Sequence, residues 1–272
     1  MKYIIRSSPA MLDAEYLREL LSYKDLLLVL AYKEYRVRYA QTFLGVLWAL
    51  LQPLMTALVL TLIFGKAIRI DTGGIPYPVS VLAGMTGWAY FSFVVSQASR
   101  AILQDQSLIH KVYFPRLIMP LSKALVGLID LLISLGLLGV VMLWYRVVPA
   151  PSILLVPLFI GLVVLLSLAV AIWVTALSVR YRDFQHVVPF LVQFGLYAAP
   201  IAYPASVIPE RYQTYYFLLN PMASVVESIR NGVLGGPIPW PYVGTTALVT
   251  MALLFGAVTY FRRVEATMAD VL

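Results

Sequence analysis

Residues 147–179 read VVPAPSILLVPLFIGLVVLLSLAVAIWVTALSV, without one Asp, Glu, Lys or Arg. A hydrocarbon core about 30 Å thick is crossed by roughly 20 apolar residues in a helix. This run is long enough, and it offers no polar face of the kind a soluble surface helix keeps toward water. The same absence of charge recurs over Tyr39–Gly65, Thr72–Ser99, Phe184–Pro209 and Asn231–Phe261. Hydropathy and helix breakers together predict an all-α integral membrane protein. Its six transmembrane helices fall near 43–65, 80–101, 119–144, 152–178, 185–204 and 241–261.

Composition agrees with the pattern. The 272 residues are 61% hydrophobic and only 12% charged, about half the charge of a soluble domain; the mean hydropathy is +0.85. There is no cysteine, which excludes disulfides, thiolate nucleophiles and thiolate metal sites. The two histidines, His110 and His186, lie far apart beside charged loop residues, a poor basis for a metal centre. The start, Met1-Lys-Tyr-Ile-Ile-Arg6, carries no sustained apolar region, so no cleavable signal peptide is expected.

The basic residues orient the spans. Segments sharing a side with the N-terminus hold fifteen of the 20 Lys and Arg, whereas the other side holds Lys66, Arg69, Arg146, Arg211 and Arg230. The positive-inside rule then places both termini in the cytoplasm. The net charge of +7 reads as anchoring to an anionic leaflet, not as nucleic-acid binding.

Two segments stand apart from the spans. In residues 14–41, Leu17, Leu21, Leu28, Tyr32, Tyr35 and Tyr39 recur at helical spacing while charges fill the other faces. This predicts an amphipathic helix in the headgroup plane, within a cytoplasmic N-terminus of residues 1–42 that precedes a permease domain of 43–272. Between spans five and six the chain is apolar yet broken by Pro200, Pro204, Pro209 and Pro221. Non-helical backbone survives at membrane depth only where protein or a water-filled cavity satisfies it, which predicts short half-helices on the extracytoplasmic side over 204–236. Glu227 and Arg230, three apart, can pair on one helical face.

Six blocks in order then give the sequence a family likeness. They are Tyr35-Arg-Val-Arg-Tyr-Ala-Gln-Thr-Phe-Leu-Gly-Val-Leu-Trp-Ala-Leu-Leu-Gln-Pro53, Lys111-Val-Tyr-Phe-Pro-Arg116 and Val179-Arg-Tyr-Arg-Asp183. The others are Pro200-Ile-Ala-Tyr-Pro204 running on to Pro209-Glu210, Asn220-Pro221 with Glu227 and Arg230, and Phe261-Arg-Arg-Val-Glu-Ala-Thr-Met-Ala-Asp-Val-Leu272. Over about residues 25–272 the chain resembles the ABC-2 type permeases that export O-antigen, capsular polysaccharide and teichoic acid. Its one departure is the length of polar N-terminus before Tyr23. The resemblance implies a homodimer in the bacterial cytoplasmic membrane, two separate nucleotide-binding ATPase subunits that bind ATP and Mg, and a lipid-linked glycan as cargo. It implies no cofactor in this chain and no catalytic residue. Consistently, no Gly-x-x-x-x-Gly-Lys-Ser/Thr phosphate loop occurs.

The resemblance also assigns roles. Loop 104–116 is similar to the coupling helix that rests on the ATPase: Leu108, Ile109 and Val112 would form an apolar knob rimmed by Asp105, His110 and Lys111, with Arg116 closing the loop. Short inside loops are routinely basic, so a plain solvated turn is the alternative. Glu34, Arg36 and Arg38 would add a second contact surface. Spans one and five of the family line the channel, and aromatic rings stack on sugars while their polar tips bind hydroxyls. Trp48, Trp88, Tyr90, Phe91, Phe93, Tyr197 and Tyr203 are therefore lining candidates. Trp144, Tyr145, Trp240 and Tyr242 at span ends read as an interfacial belt. Pro204, Pro209, Asn220, Pro221, Glu227 and Arg230 are candidates for an extracytoplasmic gate.

Asp130 is the only acidic residue inside a span. A proton relay competes there with a plain helix–helix hydrogen bond, and the lack of a chain of such groups favours the latter. Two other transporter classes remain open. A permease for drugs or lipids shares this architecture, whereas an ion-coupled carrier often shows internal repeats and paired broken helices not seen here. A membrane glycosyltransferase would carry an acidic cluster at a membrane face, and none is present. The glycan repeat and its lipid carrier are not written in the chain.

Overall fold

The computed structural model describes residues 14–39, 45, 47–109, 111–265 and 268, and among them every regular element is helical. Helices α1 (Ala14–Ser22) and α2 (Lys24–Tyr39) precede α3 (Leu47–Leu60), which continues as a π-helical stretch over Thr61–Ala67. Then follow α4 (Tyr77–Ala98), the short α5 (Ala101–Gln104) and α6 (Gln106–Ile109), α7 (Ile118–Trp144), α8 (Val156–Arg180) and α9 (Phe184–Ala198). The chain ends in α10 (Glu210–Leu219), α11 (Pro221–Leu234) and α12 (Trp240–Glu265). Five helices are long and apolar enough to cross a membrane: Leu47–Ala67, Tyr77–Ala98, Ile118–Trp144, Pro151–Arg180 and Trp240–Glu265. Each lies within a few residues of an expected span.

The expected fifth span is the exception. Helix α9 has 15 residues, which at 1.5 Å each reach only about 22 Å, short of a hydrocarbon core of about 30 Å. It ends because Ala199 precedes Pro200, and a residue before proline is driven to extended backbone; Ala199 has ψ 150°. Residues 199–204, which the expected span would have absorbed, are irregular chain, and a 3₁₀ turn (Ala205–Val207), α10 and α11 follow. Short helices therefore do occupy this segment. Helix α11 closes at Gly235, whose φ of +86° is the left-handed conformation that accepts the last-turn bond from Gly235 N–H to Asn231 O at 2.8 Å.

The N-terminal segment also departs from expectation. One continuous amphipathic helix becomes two, broken at Tyr23, where the Ser22 hydroxyl donates to Glu19 O (2.6 Å) in competition with helix continuation. The apolar stripe divides: Leu21, Leu28 and Tyr32 are exposed and Tyr35 is half-buried, whereas Tyr39 is buried with Leu30 and Ala31. The face of α2 packed on α7 is held by charged groups described below and by Tyr39, which leaves Leu21, Leu28 and Tyr32 outside the contact.

Helix α4 is the centre of the bundle. It packs on α3, α7, α8, α9 and α11, and 72% of its most apolar window is buried, against 11% for Leu47–Ala67. Small residues let neighbours approach this closely, as at helix contacts in membranes. A Cβ on Gly87 would stand 2.8 Å from Ile229 Cδ1, and one on Gly195 of α9 would stand 2.5 Å from the ring of Trp88. Tyr90 is fully buried and donates to Ala124 O on α7 at 3.1 Å. Tyr90→Phe is thus expected to lower stability by about 1 kcal/mol, read by thermal denaturation in detergent.

A second apolar cluster joins the ends of the chain. Tyr16, Leu30, Ile109, Phe114, Ile118, Val179, Phe261 and Met268 pack together, so α1, α2, loop 104–116 and the ends of α8 and α12 share one core.

Candidate functional site

The irregular chain after α9 leaves carbonyl oxygens that no helix satisfies, and at membrane depth each must find a donor. Side chains supply them one by one. Tyr203 donates to Tyr197 O (3.1 Å), Tyr216 and Asn220 donate to Ala198 O (2.8 and 3.1 Å), and the Tyr77 hydroxyl reaches Ala202 O (2.6 Å). Arg230 serves the rest. Its guanidinium donates to Pro200 O, to Ile201 O (2.9 Å), to Tyr203 O (3.4 Å) and to Ser80 O of α4 (3.2 Å). Its charge is balanced by Glu227 Oε2 at 2.8 Å, and that oxygen also accepts the Ala205 N–H at 3.4 Å. Gly84 makes room for this, since a Cβ there would lie 2.5 Å from Arg230 Nη2.

The Glu227–Arg230 pair expected from their spacing is therefore present, and it is more than a pair. Arg230 pins the broken segment to α4. The other gate candidates delimit elements: Pro204 precedes the 3₁₀ turn, Pro209 precedes α10, Asn220 precedes α11 and Pro221 opens it. Asn220 spends its side chain on Ala198 O and not on a cap.

At the opposite end of the bundle, loop 104–116 is tied down by groups that the sequence did not single out. Asp105 is buried and meets Lys33 Nζ of α2 at 2.5 Å. The Arg116 backbone N–H donates to Glu265 Oε1 (2.6 Å) and its guanidinium to Glu265 O (2.5 Å). Tyr16 donates to the second Glu265 oxygen (3.4 Å), and Arg262 lies 4.5 Å over the Tyr16 ring. Burial, helped by the Glu265 charge, holds the Tyr16 hydroxyl well above the ordinary tyrosine value, so it stays a donor.

The expected outward knob is split by this packing. Ile109 turns into the core and Leu108 is half-buried, whereas Val112, Tyr113 and Lys111 are exposed. A shallow hollow lies among Ile109, Lys111, Val112, Tyr113, Phe114 and Arg116. His110 lies outside the described residues. Of the α2 candidates only Arg36 is exposed; Glu34 and Arg38 face the bundle.

Arg38 supplies what the sequence reading lacked for Asp130. Arg38 and the Tyr39 hydroxyl both bond its carboxylate, and Arg38 also lies 4.4 Å over the Phe93 ring of α4. Asp130 thus has a cationic partner, contributed by a helix outside the spans. Four residues earlier on α2, Glu34 Oε1 stands 2.5 Å from Lys123 Nζ on α7, an ion pair off-line for a hydrogen bond. The missed signal for Lys123 is its spacing: it precedes Asp130 by two helical turns and shares its face.

The aromatic candidates separate by exposure. Trp48 on α3 and Tyr197 on α9 are exposed (55% and 59%), with Phe190 and Phe194 beside the latter. Trp88 and Tyr90 are buried in the core, which corrects their assignment as lining: their rings fill the contacts of α4 with α9 and α7. Phe91 is half-buried and packs at 5.4 Å on Trp88, Phe93 carries Arg38, and Tyr203 is spent on Tyr197 O. Helices α3 and α9 both pack on α4, so two ring-bearing outward faces flank one central helix. Among the described residues no cluster of three or more His, Asp or Glu could hold a metal ion.

Comparison with known proteins adds the following. Residues 25–234 match the family described as ABC-2 type transporter. The chain is 33% identical over 212 residues to the O-antigen export system permease protein RfbA of Myxococcus xanthus, covering 78% of this chain and 81% of that protein. It is 26% identical over 249 residues to the O-antigen export system permease protein RfbA of Klebsiella pneumoniae (91% and 95% covered). The polysialic acid transport protein KpsM of Escherichia coli is 28% identical over 243 residues (88% and 93% covered).

Proposed function

This chain belongs to the ABC-2 type transporter family, and from that premise we propose that it is the membrane-spanning permease subunit of an ATP-driven exporter of lipid-linked polysaccharide. The observation that carries the reading is near-full-length similarity to permeases named for O-antigen export and to one named for polysialic acid transport. ATP is hydrolysed by a separate subunit, and this chain makes or breaks no bond in the cargo.

The finer arrangement follows from the residues. Two copies face each other across the outward surfaces of α3 and α9, where Trp48 and Tyr197 stand free to stack on sugar rings. The crossing that α9 is too short to complete is finished by residues 199–203, pinned by Arg230. Both termini and loop 104–116 face the cytoplasm, in line with the basic-residue count, and each copy receives one ATPase subunit against Lys111, Val112 and Tyr113. The segment 204–236 is the extracytoplasmic gate. Teichoic acid, capsule and O-antigen all fit this path. A drug or lipid permease would not need the exposed rings.

Deletion of the gene, with staining for surface and internal long-chain glycan, tests the reading. The expected result is loss from the surface with accumulation inside, reversed by the wild-type chain. Complementation with Trp48→Ala plus Tyr197→Ala should restore normal amounts of protein and export at least about fivefold less glycan, since each stacking contact is worth about 1 kcal/mol. An undiminished surface coat in the deletion strain would overturn the assignment.

A further inference from the structure

The charges on α2 do more than attach it. Three ion pairs leave this helix: Lys33 to Asp105 in loop 104–116, Glu34 to Lys123, and Arg38 to Asp130, the last two on α7. Glu34 and Arg38 are one turn apart on α2, and Lys123 and Asp130 are two turns apart on α7. Both sets ascend together, so the helices run in the same direction, with long side chains absorbing the difference in rise. The signs alternate along the contact. From loop to mid-span, α2 presents positive, negative, positive to negative, positive, negative.

That alternation fixes register. Moving α2 by one turn so that each residue is replaced by the one four later sets Val37 against Asp105 and Arg38 against Lys123, and carries Asp130 beyond the helix end at Tyr39. Moving it the other way sets Val29 against Asp105, Leu30 against Lys123 and Glu34 against Asp130. Either slip strands or opposes charges at groups that are nearly inaccessible: the Lys123 side chain is 2% exposed and that of Asp130 13%. A buried charge deprived of its partner is strongly disfavoured.

We propose that α2 is charge-keyed to α7 and to loop 104–116, so that the three move as one rigid body when the loop is displaced. Arg38 is the positioning residue at the far end. Asp130 lies twelve residues into α7, about 18 Å along its axis, and Arg38 there also covers Phe93 of the central helix α4. A push on the loop is thereby delivered to mid-span without being lost to sliding between α2 and α7. The inference rests on the permease reading above for its ATPase partner, and for its cargo in the first experiment only.

Two experiments test it on the full chain with its ATPase subunit. In the first, Arg38→Asp and Asp130→Arg are made singly and together. Each single variant is expected to export at least tenfold less glycan per ATP hydrolysed, and the double swap to return to within about threefold of wild type, because the swap restores opposite charges at one pair. A folded double variant as inactive as the singles would overturn the proposal. The second needs no cargo, and so separates failure of this inference from failure of the transport assignment. The natural absence of cysteine permits spin labels at Lys24→Cys, at the start of α2, and Leu143→Cys, near the end of α7. Their separation is expected to agree within about 2 Å between nucleotide-free and ATP-trapped complexes, since a one-turn slip would change it by about 5 Å. A change of that larger size would refute the keyed contact even if the charge variants failed to accumulate.

Discussion

Arg230→Ala is expected to remove nearly all folded protein from the membrane, the largest effect of any single substitution in this chain. The guanidinium serves four carbonyl oxygens on two elements and balances Glu227, and its side chain is 4% exposed. Removing one partner of a buried ion pair destabilises by about 3–5 kcal/mol, and each buried carbonyl left without a donor adds about 1–3 kcal/mol. Together these approach the whole stability of a typical domain, about 5–15 kcal/mol. Arg230→Lys should rescue partially, because an ammonium has three donors on a flexible stem and cannot span the same set of oxygens. The decisive variant is Glu227→Leu with Arg230→Met. If the pair were simply a salt bridge, replacing both members by apolar groups would be close to neutral. As a pin for orphaned carbonyls, the double variant should remain as unstable as Arg230→Ala. Folded yield on size exclusion and thermal denaturation in detergent decide between them; recovery of the double variant would sink the pin.

What could be read in the sequence, and what could not, divides along the range of the interactions. Four of the five long helices follow from local composition, because a charge-free run of sufficient length has no other stable home, whereas α7 reads as a span despite Lys123 and Asp130. That α9 stops short of a full membrane thickness follows from Pro200, a breaker in plain view, but hydropathy weighs apolarity and not backbone competence, so 185–204 reads as one continuous helix. The spacing of Glu227 and Arg230 announced their pairing. The carbonyls of 200, 201 and 203 that Arg230 also holds lie about thirty residues away in sequence and announce nothing. Asp130 was visible as an intramembrane acid, yet its partner Arg38 sits 92 residues earlier on a helix outside the spans. Tyr90 shows the converse limit: an aromatic in a span suits a lumen or a core equally, and only the packing of α4 against α7 decides for the core.

Glu265→Ala is expected to leave ATP hydrolysis by the assembled complex running while export falls at least tenfold. The Glu265 carboxylate is the acceptor for the Arg116 backbone N–H at 2.6 Å and for Tyr16, so it fastens the end of α12 to the C-terminal end of loop 104–116 and to α1. A hydrogen bond to a charged group is worth about 1.5–3 kcal/mol, and a loss of about 2 kcal/mol shifts the docked population of the loop about thirtyfold. The loop does not come free altogether, because Arg116 still reaches the Glu265 main-chain oxygen and Ile109 and Phe114 remain in the second apolar cluster. A loosened loop still presents Lys111, Val112 and Tyr113, the exposed residues proposed above as the ATPase contact, but on that proposal it yields when pushed. Glu265→Gln should fall between the two, retaining one oxygen for the Arg116 N–H without the charge. Tyr16→Phe removes only the 3.4 Å contact and is expected to stay within about twofold of wild type. Coupled assays of phosphate release and exported glycan in the same vesicles measure both halves. Equal loss of both activities would place Glu265 in assembly with the ATPase; loss of export alone places it in the transmission of the stroke.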